Sequence, residues 1–282
     1  MSQRLRGIWA ETRKAFEAER YSVGGREVDL SADLSAMREG TRHHLPEDIA
    51  ALPVPGARHD TRFEVTGEST LAALLRLAGE GGSGTEGAAA DGVAALNFAS
   101  ARNPGGGVAN GARAQEESLA RSTALYASLT RCPEFYEHHR AERSLLYSDR
   151  VIWSPRVPVL CDDRGDRLAE PPAVGFLTCA APNRRMIERN GVESAAGVPG
   201  VLAARARGVL AVAAHHGVGV LVLGAWGCGV FGNRPPEVAA AFAEHLHGDY
   251  AGVFERVVFA VLDRDGGVRE AFDDRFPGPE GA

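Results

Sequence analysis

Two apolar runs in this chain break into glycine-rich loops, and that repeated arrangement limits the fold more than any other feature. The first run is Val93 to Ala99 (VAALNFA), followed by NPGGGVANGARAQEE from Asn103 to Glu117. The second is Gly219 to Leu223 (GVLVL), followed by GAWGCGVFGN from Gly224 to Asn233. A buried strand that opens into a bare loop and re-enters a helix is the repeating unit of α/β folds, in which strands lie between helical layers. Ligands in such sheets bind beyond the carboxyl ends of the strands, where both loops fall.

The remaining pattern agrees. Leu5, Ile8, Trp9 and Phe16 have near-helical spacing and predict an amphipathic helix over Gln3 to Glu19. A turn at Gly24-Gly25 precedes a short strand, and Ser31 is read as the cap of a short helix ending near Gly40. RFEVT (Arg62 to Thr66) reads as a strand, Glu68 to Ala78 as a helix and Gly79 to Ala90 as a surface loop. Helices are expected from about Gln115, over Glu134 to Arg143, over Val198 to His215 and from Pro235-Pro236 to His247. Ala173 to Ala180 and Arg256 to Leu262 read as buried strands. The extended stretch Val151 to Leu160 carries two prolines and should be an edge or bulged strand, and Asp273 to Ala282 should be loose. The expected organisation is a helical extension over residues 1–60 packed on an α/β body over residues 61–275.

With 282 residues, 44% hydrophobic and 24% charged, the composition is ordinary for a globular chain. The formal net charge of −6 argues against general nucleic-acid binding, so an anionic ligand must be met by a local site. Cys132, Cys161, Cys179 and Cys228 lie far apart without regular spacing, which suits reduced thiols better than a disulfide frame. The charged N-terminus lacks the apolar stretch of a signal peptide, and no segment reads as a membrane span. The expectation is a cytoplasmic protein, monomeric and independent of membranes.

Gly105, Gly106 and Gly107 strip the loop of side chains, and Gln115, Glu116 and Glu117 follow after seven residues. Backbone N–H groups and a helix N-terminus attract phosphate, and only glycine lets the backbone approach closely. No Gly-Lys-Ser/Thr follows, and the loop lacks G-x-G-x-x-G, which argues against a mononucleotide kinase or a dehydrogenase. The second loop holds four glycines in ten residues. Alone, each loop can be a plain tight turn; together they fit a diphosphate clamp. Adjacent acids in a first helical turn can simply favour the macrodipole by about 0.3–1 kcal/mol each. Beside a phosphate site they can instead cut a bond, because burial and a bound anion raise a carboxylate pKa toward that of a proton donor. The pairs His43-His44, His138-His139 and His215-His216 lack metal-motif spacing, so no metal site is expected; Cys228 has no base that the sequence identifies.

The GGG–seven residues–QEE spacing resembles the signature of the poly(ADP-ribose) glycohydrolase family, in its microbial type. LNFASARNPGGG, IWSPRVPVL, TCAAPN, VLVLGAWGCGVFGN and VVFAVLD are similar to that family in the same order. The resemblance implies a macrodomain-like fold, a mixed and mostly parallel sheet between helices, and a glycosidase that releases ADP-ribose by cutting ribose–ribose bonds. It implies Glu117 as catalytic acid and Glu116 as its partner on the ribose hydroxyls. Asn103 and Gly105 to Gly107 would lie on the terminal ribose and diphosphate, with Gln115 also against the ligand. Gly227, Cys228, Gly229, Val230 and Gly232 would form the second diphosphate loop, with Phe231 packing on the terminal ribose. Asn97 and Ser100 stand where macrodomains place ribose contacts, although their spacing departs from Asn-x-x-Asn. No cofactor is expected, and the partners would be poly(ADP-ribose) or ADP-ribosylated macromolecules. A hydrolase of mono-ADP-ribose on protein or nucleic acid, and a non-catalytic ADP-ribose reader, remain alternatives at this stage.

Overall fold

The computed structural model describes residues 3–81, 92–191, 193–263 and 266–278. Along the chain run α1 (Gln3–Glu17), β1 (Arg20–Val23), β2 (Arg26–Asp29), α2 (Ser31–Gly40), β3 (Arg42–His44), α3 (Pro46–Ala50), β4 (Arg62–Thr66) and α4 (Thr70–Gly81). Then follow β5 (Val93–Phe98), α5 (Gln115–Ser122), α6 (Leu125–Leu129), α7 (Pro133–Ala141), β6 (Val151–Pro158), β7 (Ala173–Cys179) and α8 (Arg184–Asn190). The described chain continues with α9 (Val198–His215), β8 (Val220–Leu223), α10 (Pro235–Leu246), β9 (Arg256–Ala260) and α11 (Gly267–Asp273).

A seven-stranded sheet has the order β3-β6-β7-β5-β8-β9-β4. The neighbours from β7 through β4 are parallel, whereas β6 runs antiparallel to both β7 and β3. Side chains alternate across each strand. Ala94 and Leu96 of β5 join Leu202, Val209, Phe242 and Phe259 on the side of α9 and α10. Val93 and Ala95 join Leu34, Leu74, Leu119 and Phe135 on the side of α2, α4, α5 and α7. The central strands read as unbroken apolar runs because helices cover both faces.

Strand β6 has a register shift between Ser154 and Val157, at Pro155, while Pro158 pairs with Ala173; the prolines bulge the strand. They do not put the strand at the edge, because β3 pairs outside it. The segment before residue 61 therefore contributes more than helices: a β1–β2 hairpin and the edge strand of the main sheet. Ser31 opens α2 rather than capping it, and the Asp29 carboxylate accepts its N–H at 2.8 Å. The C-terminal stretch is held more firmly than expected, since Phe276 is buried and stacks on Phe259. The expected loop from Gly79 begins inside α4, and residues 82–91 lie outside those described. The segment Ala195–His215 does meet the length and hydropathy of a membrane span, contrary to the sequence reading. In this fold it contains the core helix α9, with Leu202, Ala206, Val209 and Val212 buried. Arg205, also buried, donates to Asp149 at 2.9 Å and to the Ala180 carbonyl at 2.7 Å.

Helix α1 supports the first glycine loop. Trp9 meets Tyr126 edge-on at 5.0 Å, and the Tyr126 ring lies 3.0 Å from where a Gly105 Cβ would stand. Thr12 donates to the Arg121 carbonyl of α5 at 2.6 Å. Trp9→Ala removes a buried aromatic from this contact and is expected to cost about 3–5 kcal/mol in urea unfolding. A loss under about 0.5 kcal/mol, the range of surface substitutions, would mean that α1 is not part of the cooperative core.

Candidate active site

The carboxyl ends of β5, β8 and β9 open into a cleft of about 770 Å³. Helix α5 enters it from one side with no side-chain cap on its first turn, where Glu116 and Glu117 sit. Glu116 is buried. Its Oε2 accepts the Ser100 N–H at 2.6 Å, and its Oε1 lies 3.4 Å from Asn97 Nδ2. Burial pushes the Glu116 pKa up to about 8, against these hydrogen bonds and with a further upward push from Glu117. Glu117 accepts the Gly107 N–H on Oε1 at 2.8 Å, while its Oε2 is buried with no hydrogen-bond partner.

The glycine run is shaped around these acids. Gly106 has φ +57°, and a Cβ there would stand 2.5 Å from Glu117 Oε1 and 3.1 Å from Glu116 Oε2. Glycine is needed both for the left-handed backbone and for the space the carboxylates occupy. Both carboxylates thus approach one point on the loop, on the same side of the cleft.

The second loop forms another wall, with Gly227, Cys228, Gly229, Val230 and Phe231 lining the cleft. Gly227, at φ +73°, leaves no room for a Cβ between Ala181 and the Asn233 amide. Asn233 Nδ2 in turn donates to the Pro182 carbonyl at 3.1 Å, and buried Trp226 donates to the Cys179 carbonyl at 3.2 Å. Arg185 binds the outer side of the loop, donating its backbone N–H to Phe231 O at 2.8 Å and its guanidinium to Gly229 O at 3.1 Å. Phe231 is half-buried beside Tyr147, with ring centroids 6.1 Å apart. Burial raises the Cys228 thiol to about 12, which is unfavourable for a thiolate nucleophile.

The family model for the microbial-type PARG catalytic domain matches residues 10–162, more than half of the chain. The chain belongs to the microbial-type poly(ADP-ribose) glycohydrolase family.

 The poly(ADP-ribose) glycohydrolase of Thermomonospora curvata, in a structure bound to the inhibitor ADP-HPD, is 49% identical with a TM-score of 0.88, over 98% of this chain and 100% of that chain. A second structure of the T. curvata enzyme is 48% identical with a TM-score of 0.89 and the same coverage. The Deinococcus radiodurans poly(ADP-ribose) glycohydrolase in complex with ADP-ribose is 43% identical with a TM-score of 0.79, over 86% of this chain and 96% of that chain. No curated protein matches. The mixed, mostly parallel sheet between helices is the macrodomain-like fold of these glycohydrolases.

Several residues singled out in the sequence meet at this glycohydrolase cleft. Glu116, Glu117, Gln115, Ser100 and the tip of the second loop line it. Gly106 and Gly107 stand directly behind the acids. Asn103 is exposed, and its carbonyl accepts the Gly106 N–H at 3.0 Å, which closes the turn. Asn97 lies beneath the site, fully buried between Glu116 and Thr178. Gln115 lines the cleft with both ends of its amide bonded to protein: Nε2 to Leu96 O at 2.8 Å and Thr70 Oγ1 at 3.2 Å, and Oε1 to Phe98 N at 2.9 Å. Thr70, Arg113, Leu262 and Asp263, none of which the sequence assigns to the site, also line the cleft. Leu262 and Asp263 follow β9, so the rule that ligands bind at strand carboxyl ends would have found them. Thr70 and Arg113 carry no such local signal.

The histidine pairs are used elsewhere. His44 and His216 face each other Nε2 to Nε2 at 2.9 Å, with Trp153 stacked on His216 at 4.7 Å. His139 is buried, with Nδ1 2.8 Å from the Phe135 carbonyl and Nε2 2.7 Å from Ser148 Oγ. Among the described residues, no group of three or more His, Cys, Asp or Glu is placed to hold a metal ion.

Proposed function

We infer that this chain hydrolyses the ribose–ribose O-glycosidic bonds of poly(ADP-ribose) to release ADP-ribose, with Glu117 as general acid and then general base. The observation that carries the assignment of Glu117 is its carboxylate in the cleft wall, with Oε1 fixed by Gly107 and Oε2 buried without a partner. An oxygen held in place but not hydrogen-bonded is suited to present a proton to a substrate atom. Glycosidases usually place two carboxylates on opposite sides of the scissile bond. Here both acids approach the same point beside Gly106, which favours one acid acting twice.

In this reading, Glu117 protonates the oxygen of the leaving ribose. The anomeric C–O bond breaks, and its electron pair stays with that oxygen. The resulting oxocarbenium-like carbon is stabilised by the substrate diphosphate, held by the second glycine loop. Ionised Glu117 then takes a proton from water as the water oxygen bonds to the anomeric carbon. The proton returns to Glu117 and the cycle closes. Glu116, anchored by Ser100 and Asn97, holds ribose hydroxyls in position.

Incubation of the chain with purified poly(ADP-ribose) is expected to release ADP-ribose, measured by chromatography of the products. Release from mono-ADP-ribosylated substrates with none from polymer would overturn the substrate assignment.

A further inference from the structure

The ladder between β5 and β8 ends one step short of the site. It pairs Val93 with Val220, Ala94 with Leu221 and Ala95 with Val222. On its other side β5 stays paired with β7 as far as Phe98 and Cys179. Beyond Leu223 the β8 chain turns into the second glycine loop, closed by Trp226 N–H donating to Gly224 O at 2.8 Å. The β8 side of β5 is thus left without a strand partner where the cleft begins.

The Gln115 carboxamide fills that position. In a parallel ladder, a partner residue donates its N–H to the carbonyl on one side of the opposed residue and accepts the N–H on the other side. Gln115 Nε2 donates to Leu96 O at 2.8 Å, and Gln115 Oε1 accepts from Phe98 N at 2.9 Å. This is the bonding of a strand residue opposite Asn97. The Leu96 carbonyl can only accept and the Phe98 N–H can only donate, which fixes the orientation of the amide, and Nε2 also donates to Thr70 Oγ1 at 3.2 Å. Two residues past the end of β5, the Ser100 N–H is taken by Glu116 at 2.6 Å. The first turn of α5 is therefore fastened to β5 at Leu96 and Phe98 and to the loop after it at Ser100.

We propose that Gln115 is a positioning residue for the glycosidase reaction: its side chain replaces a strand in the sheet and thereby sets the first turn of α5, with Glu117, against the substrate. The proposal rests on the reading of this chain as a poly(ADP-ribose) glycohydrolase with Glu117 as the acid. It assigns Gln115 no contact with the ligand.

The test uses Q115A and Q115E in the full chain, with polymer hydrolysis and ADP-ribose calorimetry. Misplacement of a reacting group by about 1 Å costs roughly 100-fold in rate, so Q115A is expected to lose roughly that factor in kcat with KM and ADP-ribose Kd nearly unchanged. Q115E keeps the shape and the acceptor for Phe98 N–H but, when ionised, has no donor for Leu96 O. Protonation restores that donor, so the ratio of Q115E to wild-type kcat is expected to climb as pH falls. A merely structural role would give no such pH dependence, and Q115E keeps the test open should Q115A fail to fold. Unchanged kcat in Q115A, a matching loss of ADP-ribose affinity, or a Q115E ratio that stays flat with pH would overturn the proposal. Absence of polymer hydrolysis by the wild type would instead remove the functional reading on which it rests.

Discussion

Glu117→Gln is expected to lower poly(ADP-ribose) turnover by about 10²–10⁴-fold, the range of general acid–base catalysis, with little change in ADP-ribose affinity. The substitution preserves length and shape, and the amide oxygen can still accept the Gly107 N–H that Oε1 takes at 2.8 Å. What it removes is the acidic function at Oε2, the buried oxygen with no hydrogen-bond partner in the protein. The amide cannot protonate a leaving oxygen or deprotonate water, so both halves of the reaction fail together. Calorimetry with ADP-ribose separates this from a binding defect. Wild-type turnover in Glu117→Gln would exclude Glu117 as the acid, and the role would then fall to another group in the cleft. Glu116 is a weaker candidate on geometry, because both of its oxygens face donors within the protein, Asn97 Nδ2 and the Ser100 N–H.

The elements of the sheet could be read from the sequence because helices on both faces turn its central strands into apolar runs, such as Val93 to Ala99 and Ala173 to Ala180. Helix α9 could be read for its length, but the same length and hydropathy made it resemble a membrane span by composition alone, and only packing distinguishes the two. The short strand β3 could not be read: Arg42, His43 and His44 have no apolar alternation and become a strand by pairing with β6. Phe276 likewise reads in sequence as part of a loose terminus, whereas Phe259 and Phe63 pack against it in the fold.

The site divides in the same way. Its two glycine loops and its acids follow from spacing along the chain, whereas the partners of each side chain do not. Gln115 shows the difference. Next to two acids it reads as another ligand contact, and only the end of the β5–β8 ladder shows its amide bonded where a strand partner would be. Gly106 shows the converse, since a residue expected to make room for phosphate makes room first for protein carboxylates.

Gly106→Ala should therefore affect activity more than stability. Gly106 has φ +57°, and the added methyl would meet Glu117 Oε1 at 2.5 Å, so the carboxylate or the loop must move. Displacement of about 1 Å is expected to cost roughly 100-fold in kcat. The backbone alone contributes about 1–2 kcal/mol of destabilisation for a non-glycine residue in the left-handed region. Gly24 provides the control: it has the same φ of +57°, lies in the β1–β2 turn and has nothing within 4 Å of its would-be Cβ. Gly24→Ala is expected to show the backbone cost in thermal unfolding with kcat unchanged. The additional loss of kcat in Gly106→Ala then measures displacement of the acid. If the two variants lost equal stability and both kept wild-type kcat, the glycine at position 106 would be there for its backbone alone, and the fit of Glu117 against the loop would have no part in catalysis.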